Sequence, residues 1–319
     1  MTRRQATPTL PLLASLVTLL ALLLGACQPQ AALPLATPTA TPNHTATPNH
    51  TATPQNTPTP DATDQAATEM AQPTATPDCR QQGGTLLNES LYSDALEEDL
   101  FYDIYLPPCY GADPETRYPV VYLLHGLSYR QDQWQRLGLE PTMDALIAAG
   151  EIPPFIAVMP LESPFTPPQV SEFGNALVND LIPWVDAQYQ TLPEKAYRAI
   201  AGVSRGAAWA THLGFEHYEL FARVGAHSLP LFEADGGRLY SWMGRADEDL
   251  PLFFIDIGRN DQEWQIAEGF ANLLDENGIP HEWYLLNGGH TEAYWSSHLA
   301  EYLLWYSAGW WDANGNEVK

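Results

Sequence analysis

Gly202-Val203-Ser204-Arg205-Gly206 is a Gly-x-Ser-x-Gly run set between the apolar stretch Arg198–Val203 and a segment of small residues, Gly206-Ala207-Ala208. A serine hydroxyl is a poor nucleophile at neutral pH. It becomes a good one when a tight turn holds Oγ clear of its surroundings and a base lies within hydrogen-bond reach. The flanking glycines suit such a turn, because neighbouring backbone crowds it. For the base the chain offers nine histidines, of which His44 and His50 sit in a Thr/Pro-rich repeat and His217, His281 and His298 read as surface or packing residues. His290 fits best. It follows an apolar stretch in Asn287-Gly288-Gly289-His290, where two glycines leave the backbone free to aim the imidazole at Ser204. A carboxylate between the two in sequence should hold that imidazole, and Asp261, delivered after Phe254–Asn260, is the candidate. Asp256 is the rival, but it lies within the expected strand and is better placed for a local hydrogen bond.

Acyl transfer through such a serine needs donors for the oxyanion, usually the N–H of the residue after the nucleophile and another from a loop after an early strand. These are the backbone N–H groups of Arg205 and of Leu127, the latter in Leu124-His125-Gly126-Leu127. His125 reads as a residue that orients this turn rather than as a second base.

These groups must be carried by elements that end at one edge. Short apolar runs at Phe101–Leu106, Val120–Leu124, Phe155–Met159, Arg198–Val203, Arg223–Ala226, Leu252–Ile257 and Glu282–Leu286 read as strands. Helical periods are expected near Pro141–Ala149, Ser171–Gln190, Ala207–Gly214, Trp264–Asn277 and Tyr294–Tyr306. The alternation predicts an α/β fold, a mostly parallel central sheet with helices on both faces. In such sheets sites lie at the carboxyl ends of strands, where Ser204, Asp261, His290 and Leu127 all fall.

In that order and spacing, Tyr118–Gly126, the segment Leu181-Ile182-Pro183, Gly202–Gly206, Gly258-Arg259-Asn260-Asp261 and Gly288-Gly289-His290 followed by Trp295 resemble a family of α/β-hydrolase esterases. That family includes feruloyl esterases, the esterase D group and mycolyltransferases, and the resemblance spans roughly residues 85–308. It implies an α/β-hydrolase fold, Ser204, Asp261 and His290 as a triad, Leu127 and Arg205 as oxyanion donors, and no metal or cofactor. Ala207 stands where many members carry a second glycine. The expected activity is hydrolysis of carboxylic esters, small or carbohydrate-linked, with acyl transfer to a carbohydrate or lipid acceptor as the alternative within the same chemistry. A glycan-binding surface protein without catalysis would have no need of all three groups in order. A metal site made of His125, His227 and His290 lacks zinc-like spacing. Trp134, His227 and Trp295 are expected to line the substrate site.

The rest of the chain reads as an address. Arg3 and Arg4 precede an apolar run from Leu10 to Ala26, and Leu24-Gly25-Ala26-Cys27 resembles the lipobox of bacterial lipoproteins. Residues 1–26 are thus expected to be a signal peptide and Cys27 a lipidated first residue, anchoring the protein outside the cytoplasm on the cell membrane. Residues 27–78 form a Thr/Pro-rich spacer; 10 of the 28 prolines fall between 28 and 78, and no Phe, Trp or Tyr precedes Tyr92, so a core can form only in the remainder, residues 79–319. With Cys27 assigned to lipid, Cys79 and Cys109 are left as a disulfide pair. The net charge is −25, and only two of 14 Lys+Arg and four of 39 Asp+Glu precede residue 79, so the acidic excess belongs to the folded region and argues against a nucleic-acid partner.

Overall fold

The computed structural model describes Cys79, residues 82–162 and residues 166–311. The expected signal peptide, the lipidated Cys27 and the spacer over 27–78 lie outside the described residues. Eight strands form one sheet: β1 (Thr85–Ser93), β2 (Glu98–Leu106), β3 (Val120–Leu124), β4 (Ile156–Pro160), β5 (Arg198–Val203), β6 (Arg223–His227), β7 (Leu252–Gly258) and β8 (His281–Leu286). Their order is β1-β2-β4-β3-β5-β6-β7-β8. Only β2 runs against its neighbours, pairing antiparallel with both β1 and β4, while β4, β3 and β5 to β8 are parallel.

The central strands β3, β4 and β5 are buried at every position, as strands covered on both faces must be. Five main helices supply the cover: α1 (Leu139–Ala149), α2 (Ile182–Gln188), α3 (Arg205–Glu216), α4 (Trp264–Glu276) and α5 (Glu292–Ser307). One apolar cluster joins Tyr122, Ile200 and Val224 to Val185, Leu213 and Phe270 of α2, α3 and α4. The other joins Val121, Ala199 and Phe254 to Met143 of α1 and to Trp295, Tyr302 and Tyr306 of α5. The period-2 alternation of each strand thus divides its side chains between two helical layers.

Two elements depart from the sequence reading. β1 was not expected, because its inner stretch Asn88-Glu89-Ser90 carries no apolar alternation; the strand is held as a sheet edge by nine paired positions with β2. The helix expected over Ser171–Gln190 forms as one run over 173–188, but it widens into a π turn at Ala176–Leu181 between the α-helical Phe173–Asn175 and α2. Pro183, at the start of α2, has no N–H to give to the preceding turn, so a continuous α-helical ladder cannot pass through it. The Cys79–Cys109 disulfide is formed, tying the first described residue to the loop after β2.

The turn from β5 into α3 is where packing is tightest. A Cβ placed on Gly206 would stand 2.2 Å from the Leu124 carbonyl oxygen and 2.8 Å from that of His125. Both are backbone atoms and cannot swing aside. Gly206→Ala is expected to cost on the order of 3 kcal/mol, or roughly 6–12 °C in melting temperature. A thermal melt checks this, and an unchanged midpoint would mean the turn is looser than described.

Candidate active site

Ser204 sits on that turn with φ 54° and ψ −121°, a region that non-glycine residues rarely enter. Its N–H donates to the His227 carbonyl at 2.8 Å, so the end of β6 holds the turn from beneath. The Oγ is thereby directed to the carboxyl edge of the sheet. There it lies 2.8 Å from His290 Nε2. His290 Nδ1 donates to Asp261, 2.9 Å from Oδ2 and 3.0 Å from Oδ1.

The loops that carry these partners are pinned together. The Arg259 N–H donates to Leu286 O and the Asn260 N–H to Gly288 O, each at 2.8 Å, so the loops after β7 and β8 are joined backbone to backbone. Thr291 caps α5 directly after His290, its Oγ1 accepting from the Tyr294 N–H at 3.3 Å. Asp261 is buried and accepts also from the Glu263 N–H at 2.9 Å. Burial pushes its carboxyl up, but donation led by His290 and the Glu263 amide outweighs that and leaves it below its ordinary value. The carboxylate is therefore charged wherever the imidazole could need a counter-ion.

On the other side of Ser204, a Cβ placed on Gly126 would be 3.5 Å from Ser204 Cβ, which brings the loop after β3 alongside the serine. Gln133 Oε1 accepts the Gly126 N–H at 2.7 Å. His125 Nε2 accepts the Glu162 N–H at 2.9 Å, so its proton is on Nδ1 and is donated to Gly126 O at 2.8 Å. Burial lowers the pKa of this imidazole and keeps it neutral. Its place is that of the turn-orienting residue. Leu127 follows in this loop, and Arg205 opens α3, where the first N–H groups have no acceptor within the helix. The Arg205 guanidinium turns away to pair with buried Glu162, Nε at 2.7 Å from Oε2, and to donate to Thr166 O at 2.8 Å.

The structure brings Ser204, Asp261 and His290 together and leaves Asp256 apart. Asp256 lies under the sheet edge, accepting from His227 Nδ1 at 2.5 Å, Tyr294 Oη at 2.6 Å and Tyr302 Oη at 2.8 Å. Burial and the nearby Asp256 charge raise both phenols, which stay protonated as donors.

The three residues expected to line the substrate site are corrected. Trp134 and His227 are fully buried at 0% exposure, and Trp295 is at 2%. The Trp134 indole donates to Leu124 O at 3.2 Å, and His227 belongs to the Asp256 cluster. Trp295 packs edge-on to His290, ring centroids 5.2 Å apart, and donates to Ser228 Oγ at 3.0 Å. At that burial none of the three walls an open space, and each has its ring nitrogen bonded to an interior partner. A cleft of about 340 Å³ beside Glu162 is lined by Phe101, Arg130, Leu161 and Phe173 among others, and Ser204 and His290 are not in its wall. Among the described residues no group of three or more His, Cys, Asp or Glu side chains is arranged to hold a metal ion.

The sequence reading passed over Glu162, Gln133 and Ser228. For Ser228 a signal was available: it stands two residues after the expected strand Arg223–Ala226, at the same sheet edge as Ser204. Gln133 and Glu162 reach the site across separate loops, and nothing local marks them.

Comparison with known proteins identifies the family of the chain. Residues 93–306 match the family model described as "Putative esterase". An endo-1,4-beta-xylanase/feruloyl esterase of Xylanibacter ruminicola is 32% identical over 215 residues, 62% of this chain and 29% of that protein. Esterase Rv1288 of Mycobacterium tuberculosis is 28% identical over 245 residues, 59% of this chain and 52% of the relative. The chain therefore spans only 29% and 52% of the length of these curated relatives. Among solved structures, a ferulic acid esterase superposes with a TM-score of 0.65 at 25% identity, covering 71% of this chain and 98% of its own. A ferulic acid esterase from Anaeromyces mucronatus, solved with ferulic acid, shares the fold at a TM-score of 0.61 and 22% identity, over 71% of this chain and 92% of its own. With the family model covering well over half its length and an eight-stranded sheet whose second strand alone is reversed, this chain belongs to the esterase family of α/β-hydrolases.

Proposed function

We propose that the protein is a serine esterase that hydrolyses carboxylic esters through an acyl-enzyme on Ser204. The observation that supports this most is the unbroken line of hydrogen bonds from Ser204 Oγ through His290 to buried Asp261, at 2.8 and 2.9 Å. In the proposed reaction Ser204 Oγ attacks the ester carbonyl carbon as its proton passes to His290 Nε2. The developing oxyanion is met by the backbone N–H groups of Leu127 and Arg205, each such donor being worth about 3 kcal/mol in measured cases elsewhere. Collapse breaks the ester C–O bond, and His290 returns the proton to the departing alcohol. Water, deprotonated by the same imidazole, then releases the acid and restores the serine. Asp261 holds the imidazole in the Nδ1–H tautomer and stabilises the imidazolium in both halves.

The acyl group proposed is aromatic, of the feruloyl type. Its support is the 32% identity to a protein named as a feruloyl esterase and the fold shared with ferulic acid esterases. A panel of acetyl, feruloyl and longer aliphatic esters tests it, with kcat/KM expected highest for the feruloyl ester by at least tenfold. A preference for acetyl or long-chain esters would contradict the aromatic assignment. Product analysis with sugar acceptors present tests hydrolysis itself: free acid alone is expected, and a new sugar ester would mean acyl transfer.

The proposal also places the enzyme outside the cytoplasm, tethered by lipid on Cys27 through the Thr/Pro-rich spacer. The apolar run ending at Cys27 supports this, as does the disulfide, a bond of oxidising compartments. Mass spectrometry of the membrane fraction should find Cys27 acylated and first in the chain. An intact Met1 or an unmodified Cys27 would contradict the tether.

A further inference from the structure

Glu162 is a carboxylate at 3% exposure, and its charge is met by the Arg205 guanidinium, Nε 2.7 Å from Oε2 and Nη2 bonded to Oε1. Arg205 Nη2 donates also to Thr166 O at 2.8 Å, and the same guanidinium lies 5.6 Å above the Phe232 ring. A buried ion pair is a costly way to fill space, since two apolar side chains of similar volume often hold a fold as well or better. This pair stands at the nucleophile's own turn, because Arg205 directly follows Ser204.

The pair is one end of a continuous chain of hydrogen bonds. The Glu162 N–H donates to His125 Nε2 at 2.9 Å. With Nε2 accepting, the imidazole proton is on Nδ1, and it goes to Gly126 O at 2.8 Å. Gly126 O accepts also from the Tyr129 N–H at 3.1 Å, and the Gly126 N–H donates to Gln133 Oε1 at 2.7 Å. In a trans peptide the N–H points opposite to the C=O, so fixing Gly126 O fixes the direction of the Leu127 N–H. Neither that N–H nor the N–H of Arg205 has an acceptor among the described residues. The chain of bonds therefore runs from one open backbone donor to the other, from Arg205 through Glu162 and His125 to the peptide between Gly126 and Leu127.

We propose that Glu162 is a positioning residue of the oxyanion hole, its carboxylate holding the turn after Ser204 and its N–H holding the imidazole that aims Leu127. The inference rests on the reaction proposed at Ser204, with Leu127 and Arg205 as oxyanion donors. Without the fork between carboxylate and guanidinium, the loop that carries Glu162 is released from α3 and its N–H leaves His125 Nε2. The imidazole is then free to take the other tautomer, which presents no proton to Gly126 O, and the Leu127 N–H loses its direction. The oxyanion forms only once Ser204 has attacked, so the loss falls on the transition state rather than on bound ester.

The test compares Glu162→Gln, Arg205→Lys and the combination Glu162→Leu with Arg205→Met against the parent, in the full chain, on a small activated ester. Glu162→Gln keeps the size and removes the charge; kcat is expected to fall about 10- to 100-fold, the range for one hydrogen bond to a charged group, with KM within about threefold. Binding of a trifluoromethyl ketone, which adds to Ser204 as a tetrahedral oxyanion, should weaken by the same factor, while binding of the product acid should not change. In nitrogen-15 NMR the His125 imidazole should move from the Nδ1–H toward the Nε2–H tautomer. Arg205→Lys keeps the charge but not the two-pronged fork and should lose about 3- to 10-fold in kcat. The apolar combination should melt no lower than the parent and still show the loss in kcat and in ketone binding. A Glu162→Gln protein with parental kcat, or with a reduced kcat but parental ketone binding, overturns the inference, as does an apolar combination that turns over like the parent. Where neither of these folds, Arg205→Lys decides: parental kcat and an unmoved His125 signal overturn the proposal. Ser204→Ala run alongside separates the two levels. If it stays active, or if the ketone does not inhibit the parent, the reaction proposed at Ser204 fails; if it is dead while Glu162→Gln is unimpaired, only the positioning role fails.

Discussion

Ser204→Ala should lower kcat by about 10⁶-fold while leaving the fold intact, because it removes the only atom that attacks the ester. The residual rate, still about 10³-fold over water, would come from the oxyanion donors and substrate binding. His290→Ala should cost about as much, and the double variant no more than either alone, since nucleophile and base act as one unit. Additive losses would show instead that the two act in separate steps. The substitution should leave the melting temperature unchanged or slightly raised. Ser204 is only partly buried, and its Oγ makes its bond to His290 rather than to the core. Steady-state kinetics on an activated ester together with a thermal melt read both outcomes.

Asp261→Asn should lower kcat by about 10⁴-fold with little change in KM. An asparagine keeps the size of the side chain but brings an NH₂ group that cannot accept from Nδ1–H. The imidazole is then driven toward the tautomer with its proton on Nε2, facing Ser204 Oγ with a donor where an acceptor is needed. Asp261 is buried, where an unmatched polar pair is screened little by solvent and costs more. The same change at Asp256 should be read in the melting temperature instead. Asp256 anchors His227, Tyr294 and Tyr302 and makes no contact with His290. Equal loss of kcat in both variants, with stability unchanged, would contradict the division of roles between the two aspartates.

Much of this arrangement was legible in the chain because the rules that place it are local. β3 and β5 have the expected bounds, Val120–Leu124 and Arg198–Val203, since each is an unbroken apolar run closed by turn residues. The expectation that Ser204, Asp261 and His290 lie together followed from each standing in the turn after a strand, directly after β5 for Ser204 and a few residues past β7 and β8 for the other two. What was not legible depends on partners distant in sequence. β1 is a strand because β2 offers it hydrogen bonds, not because Asn88-Glu89-Ser90 favours one. Trp134, His227 and Trp295 looked like pocket walls because aromatic side chains suit both a ligand and a core; only the packing of α5 against the sheet decides that they are core. The helix over 171–190 was expected, but its π turn at Ala176–Leu181 adjusts the backbone in a way no periodicity displays.

The central claim is that Ser204 is an activated nucleophile, and labelling with a fluorophosphonate probe tests it most directly. One adduct per chain is expected, mapped by peptide mass spectrometry to Ser204, absent from Ser204→Ala and strongly slowed in His290→Ala. A parent protein that takes up no probe, an adduct at another residue, or a Ser204→Ala variant labelled as fast as the parent would contradict it.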